Sequence, residues 1–159
     1  MGKFGVGQSI RRVEDQRFLT GQGRYTDDIS VPGQVYLYVL RSPHAHADIK
    51  SLETSGAKNA PGVIGVLTAA DLTDMNVGTI PVEFIPPDQD GNVPAPPARP
   101  VLADTRVRYV GEPVAAVVAE TLSQAKDAAE LIEVEYNDLA PVSLPAEGVK
   151  DGVHAHTLA

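Results

Sequence analysis

The sequence predicts an α+β fold, a mixed sheet with helices, and three observations carry that prediction. Val114-Ala115-Ala116-Val117-Val118-Ala119 is a continuous apolar run of strand length. Thr121 then opens a helical period, with Leu122, Ala125, Ala128, Ala129 and Ile132 on one stripe. From Ile132 to Tyr136 the period shortens to two, with Ile132, Val134 and Tyr136 on one face and Glu133 and Glu135 on the other. Residues 114–136 therefore read as a β-α-β unit.

The remaining elements follow in order. Residues 1–28 are polar with scattered glycine and read as an extended arm, bent at Gly21-Gln22-Gly23. Gln34 to Arg41 is rich in β-branched and aromatic residues and is apolar on both faces, which predicts a central strand. Ser42-Pro43 ends it, and His44 to Ile49 resumes extended chain. A short helix is expected from Thr54 to Asn59, with Thr54 or Ser55 as N-cap and Pro61-Gly62 as the stop. Val63 to Leu67 predicts a second buried strand, and Thr68 caps a helical turn that reaches Asp71. Residues 76–100 hold seven prolines among Asp and Gly, so they form a surface loop. Thr105 to Tyr109 reads as strand, and Val110-Gly111-Glu112-Pro113 as a turn. Thr121 and Gln124 make a capping box for the long helix. Residues 1–150 are taken as a single domain and 151–159 as a tail. Neither side of the proline-rich loop has enough apolar residues for a core of its own.

Composition narrows function. The chain has 159 residues, 43% hydrophobic and 21% charged, a balance that suits a globular domain. A net charge of -8 argues against binding a phosphate backbone or an anionic membrane. With no cysteine, thiolate metal sites, Cys-ligated iron–sulfur clusters and cysteine nucleophiles are excluded from the chain. Residues 1–10 lack the apolar core of a signal peptide, and no apolar run approaches the roughly 20 residues of a membrane span. The expected location is the cytoplasm.

Few residues suggest chemistry. Gly5-Val6-Gly7 and Gly21-Gln22-Gly23 begin like a dinucleotide fingerprint, but neither follows a strand or opens a helix. Two H-x-H pairs, His44/His46 and His154/His156, leave two readings open. On a strand each pair would share a face and could bind zinc or copper. Otherwise the first pair serves hydrogen bonding around the Ser42-Pro43 bend. Glu133 and Glu135 have the spacing of a solvent-facing strand edge rather than of an acid–base pair. From the residues alone, no catalytic residue is assigned.

Three stretches together carry a resemblance. The first is Arg12-Val13-Glu14-Asp15 with Phe18-Leu19-Thr20-Gly21-Gln22-Gly23-Arg24-Tyr25-Thr26-Asp27-Asp28. The second is Arg41-Ser42-Pro43-His44-Ala45-His46-Ala47, followed by Ala60-Pro61-Gly62-Val63. The third is Arg99-Pro100-Val101-Leu102-Ala103, then Val107-Arg108-Tyr109-Val110-Gly111-Glu112-Pro113-Val114. In this order they resemble the N-terminal α/β hammerhead domain of the aldehyde oxidase/xanthine dehydrogenase family. The wording is nearest that of the aerobic carbon monoxide dehydrogenase large (molybdenum) subunit.

The resemblance implies part of a molybdenum hydroxylase that oxidises carbon monoxide, an aldehyde or a purine with water as the oxygen source. The complete enzyme would carry molybdopterin cytosine dinucleotide, iron–sulfur clusters and FAD on other domains or subunits. In such proteins the cofactor loops and catalytic Glu lie in later domains, so no cofactor, metal or catalytic residue is carried over to this chain. Its implied partners are the remaining molybdenum-binding domains and the iron–sulfur and flavin subunits. The chain would be a cut fragment or a natural split subunit, inactive alone. Tyr25 in the arm and Arg41, His44 and His46 at the bend are the expected interface residues. The alternatives are a stand-alone interaction module of the same fold and a small His-based metal-binding protein.

Overall fold

In the computed structural model, Gly7, residues 11–93, residues 95–148 and His156 are described. The chain divides into two compact units, Met1–Gln34 and Val35–Ala159. In the first, helix α1 (Asp15–Leu19) is followed by a 3₁₀ turn at Thr26–Asp28. Phe18 and Tyr25 stack with ring centroids 5.3 Å apart. The intervening bend needs its glycines. Gly21 has φ +71°, and a Cβ on Gly23 would stand 2.3 Å from the Phe18 ring.

The second unit contains strands β1 (Tyr36–Arg41) and β2 (Ala47–Glu53), helix α2 (Ser55–Lys58), strand β3 (Val63–Leu67) and helix α3 (Ala69–Asp74). After the proline-rich loop come β4 (Arg106–Val107), β5 (Pro113–Ala119), helix α4 (Leu122–Ala129), β6 (Glu133–Asp138) and the short α5 (Pro145–Gly148). The fold is α+β, and its strands form two antiparallel three-stranded sheets, ordered β1-β5-β3 and β4-β2-β6. The expected strand–helix–strand order over 114–136 is present. However, β5 and β6 enter different sheets, so they are not neighbours in one mixed sheet.

One core cluster packs α4 onto the first sheet: Ala125, Ala128 and Ala129 meet Ala115, Val117, Ala119 and Val66. Alanines along α4 let the helix approach the strand backbone closely. The second cluster joins Ala47, Ala103, Val107 and Val114. Leu52 and Val134 touch both clusters and tie the sheets together.

Three further expectations change. The arm over residues 1–28, expected to be extended, forms helix α1 and a 3₁₀ turn, because the Asp15 carboxylate and the Arg17–Glu14 pair support a helical turn that side-chain polarity alone did not reveal. β1 is an edge strand rather than a central one, and β3 is the opposite, half-buried edge. Apolar residues on both sides of a strand report which faces are covered, whereas edge position is decided by backbone pairing. In this first sheet the central place belongs to β5, paired on both sides and buried along most of its length. The short helices begin where capping residues predict. Thr68 and Asp71 form a reciprocal box, with the Thr68 N–H donating to Asp71 Oδ2 at 2.7 Å. Thr121 Oγ1 accepts from the Gln124 N–H at 3.2 Å.

Candidate functional site: the Arg41–His46 bend

The bend leaves β1 at Arg41 and enters β2 at Ala47, and two other segments hold it. On one side is the 109–113 turn. Arg41 donates from Nη1 to Gly111 O at 2.9 Å, Ser42 N donates to Glu112 O at 2.9 Å, and Gly111 N returns a bond to Ser42 O at 2.8 Å. Gly111 has φ +90°, a conformation that disfavours any side chain. The buried Glu112 carboxylate accepts from the Arg108 backbone N–H. On the other side is the end of β6. His44 Nδ1 meets Asp138 Oδ1 at 2.6 Å, and its ring lies 4.4 Å from that of Tyr136. His46 Nδ1 donates to Ala140 O at 2.8 Å.

Ser42 lies at the centre, buried, with its Oγ accepting from His44 N at 3.0 Å. Burial pushes the Tyr136 phenol above its usual pKa, and a hydrogen bond with the Ser42 side chain pulls it partly back. His46 is 7% exposed, and its Nε2 has no hydrogen-bond partner among the described residues.

The structure thus brings Arg41, His44 and His46 together, while Tyr25 belongs to the other unit. His44 and His46 lie before β2 rather than on a strand, and their Nδ1 atoms engage two different groups, the Asp138 carboxylate and the Ala140 carbonyl. His154 lies outside the described residues. His156 faces Arg108, Glu112 and His46, and burial first, then the Arg108 charge, holds its pKa below the usual value. It borders a cleft of about 320 Å³ with Ile80, Arg99, Arg108, Tyr109 and Glu112. Among the described residues no group of three or more His, Asp or Glu is placed to hold a metal ion. Glu133 and Glu135 are exposed on β6, and Lys50 Nζ lies 3.7 Å from Glu135. Gly5 and Val6 lie outside the described residues, and Gly7 and Gly21 both have positive φ.

Sequence reasoning missed Tyr109 and Val110. They read as the end of a strand and its turn, yet they are 55% and 65% exposed beside the Gly111 that anchors Arg41. Two apolar residues ahead of a Gly-Glu-Pro turn were the available signal.

Comparisons place this geometry in a family. The model of the "aldehyde oxidase and xanthine dehydrogenase, a/b hammerhead domain" matches residues 20–140. The carbon monoxide dehydrogenase large chain of Afipia carboxidovorans is 46% identical over 85% of this chain and 15% of its own length. The nicotine 6-hydroxylase large subunit of Paenarthrobacter nicotinovorans is 40% identical over 92% of this chain and 17% of its own. Among solved structures, quinoline 2-oxidoreductase from Pseudomonas putida 86 superposes with a TM-score of 0.78 at 39% identity, covering 96% of this chain and 19% of that one. The Cu,Mo-CO dehydrogenase gives 0.76 at 41% identity, covering 94% and 18%. The chain spans less than a fifth of the length of each of these proteins, and over that span it belongs to the aldehyde oxidase and xanthine dehydrogenase a/b hammerhead family.

Proposed function

We propose that this chain is the N-terminal structural domain of a molybdenum-hydroxylase large subunit of the carbon monoxide dehydrogenase type. The observation that carries the reading is the 46% identity to a carbon monoxide dehydrogenase large chain, over nearly all of this chain and a small part of that one. Domain organisation is proposed as one hammerhead over residues 1–150, with the arm 1–28 included and residues 151–159 as a tail.

The oxidation, of carbon monoxide, an aldehyde or a purine, belongs to the complete enzyme. So do molybdopterin cytosine dinucleotide, the iron–sulfur clusters and FAD. We assign none of those groups to the residues of this chain. It has no cysteine for thiolate ligation, and no multi-residue metal-ligating group exists among its described residues. Its role is to brace the domains that do hold them, since a catalytic constellation must be fixed by a rigid surrounding shell. A cytoplasmic assembly is the setting for this role, and no helix among the described residues is long and apolar enough to cross a membrane.

Tyr25, Arg41, His44 and His46 are proposed contacts to the remaining subunit and its iron–sulfur and flavin partners. The test is purification of the tagged chain from its host, with identification of every co-purifying polypeptide and of molybdenum and iron content. A long molybdenum subunit should accompany it. Recovery of the folded chain alone and metal-free would reject the reading. In the same assay Arg41→Ala and Tyr25→Ala should weaken assembly while circular dichroism remains that of wild type. Undiminished assembly with an intact fold would remove these two residues from the interface.

A further inference from the structure

We infer that the face of the first sheet turned away from α4 is the surface on which the remainder of the large subunit docks, through apolar contact. This inference rests on the function proposed above.

Helix α4 packs on one side of β1 and β5, and the core takes Leu40 from β1 and Ala115, Val117 and Ala119 from β5. In an antiparallel pair, directly opposed residues share a face. The register opposes Leu37 to Val118 and Val39 to Ala116, and β3 places Gly65 against Val118 and Leu67 against Ala116. These six residues therefore occupy the other face; Ala116 at its centre is buried and Val39, Gly65, Leu67 and Val118 are half-buried, but none packs into either core cluster. None is charged or polar, in a chain of net charge -8. Leu37 is 57% exposed, and Ile64, at the β3 bulge beside them, is 60% exposed.

The second sheet gives an internal comparison. Its water-facing positions carry charge, with Lys50 paired across strands to Glu135. That is how an antiparallel sheet meets solvent. The first sheet instead has a central strand apolar on both sides, the pattern of a sheet covered on both faces.

An occupant must supply a large apolar surface without matching charges. The carbon monoxide dehydrogenase large chain matches this protein over only 15% of its length, so such an assembly contains ample polypeptide for the role. The other occupant is a second copy of this chain.

The absence of native cysteine makes a single thiol a clean probe. Leu37→Cys and, as a control, Glu135→Cys are labelled with a maleimide. Labelling of the peptide carrying each is followed by mass spectrometry, in the 159-residue chain alone and in its complex with the remaining large-subunit polypeptide. On assembly the Leu37→Cys rate should fall about tenfold or more, and the Glu135→Cys rate should change less than about twofold. Leu37→Glu should keep the wild-type melting temperature and lose assembly.

Equal labelling of Leu37→Cys in the complex and alone overturns the inference and leaves the proposed function standing. Protection that appears in the chain alone and deepens with concentration overturns it in favour of self-association. Failure of the wild-type chain to form the complex rejects the proposed function, and this inference with it.

Discussion

Thr68 and Asp71 show how much one cap can do. The Thr68 hydroxyl donates to Asp71 Oδ2 at 2.6 Å, in addition to the backbone bond already noted, and these bonds hold the Asp71 carboxyl below its usual pKa. Thr68→Ala should cost about 1 kcal/mol, read by chemical denaturation at neutral pH. A carboxyl depressed on folding stabilises the protein above its unfolded value and loses that contribution as pH falls through its folded value. The stability gap between wild type and Asp71→Asn should therefore narrow as pH is lowered from about 5 into the acid range. A gap independent of pH would mean that the carboxylate is not the active partner. This cap was legible in the sequence, because a cap depends on residues three apart. The partners of His44 and His46 were not legible, since Asp138 and Ala140 reach them only through the pairing of β2 with β6.

At the scale of elements, the turn that opens β3 depends on Gly62. Its φ is +75°, its carbonyl accepts from Glu120 N at 2.9 Å, and an added Cβ would meet the Gln124 carboxamide at 2.2 Å. Gly62→Ala should lower stability by about 1–2 kcal/mol, the cost of a left-handed conformation for an L-residue. The end of the Gln124 side chain can move aside, whereas the backbone angle remains. The double variant with Gln124→Ala should therefore keep most of the deficit in thermal denaturation, and full recovery would show that the clash was the whole effect. Periodicity located β5, α4 and β6 well because each repeats its pattern over several residues. It misplaced β1, because side-chain pattern says nothing about which backbone edge is paired.

For the whole molecule, the pairing pattern matters most. β1 and β3 pair with β5, while β2 pairs with β4 and β6. Every sheet contact thus joins a strand before the proline-rich loop to one after it. The lack of a core in either half, which composition suggested, follows from this arrangement. A fragment of residues 35–104 should show no cooperative melting transition in calorimetry, since all three of its strands lack partners. Adding the complementary fragment of residues 105–159 should restore one if pairing alone is the missing element. Closing such distant contacts also costs chain entropy before any contact repays it, so folding of this unit belongs to the slower, non-local kind. The arrangement sets a timetable for synthesis as well. Until the ribosome has passed the proline-rich loop, none of β1, β2 and β3 has a partner strand with which to form either sheet. The β1-β5-β3 sheet closes only once Ala119 has emerged, and β6 completes the other only after Asp138. Until then the early-strand residues that the two cores will cover, among them Leu40, Ala47 and Val66, lack their full packing in the nascent chain. The interval before Asp138 emerges is when the polypeptide most needs a chaperone's cover.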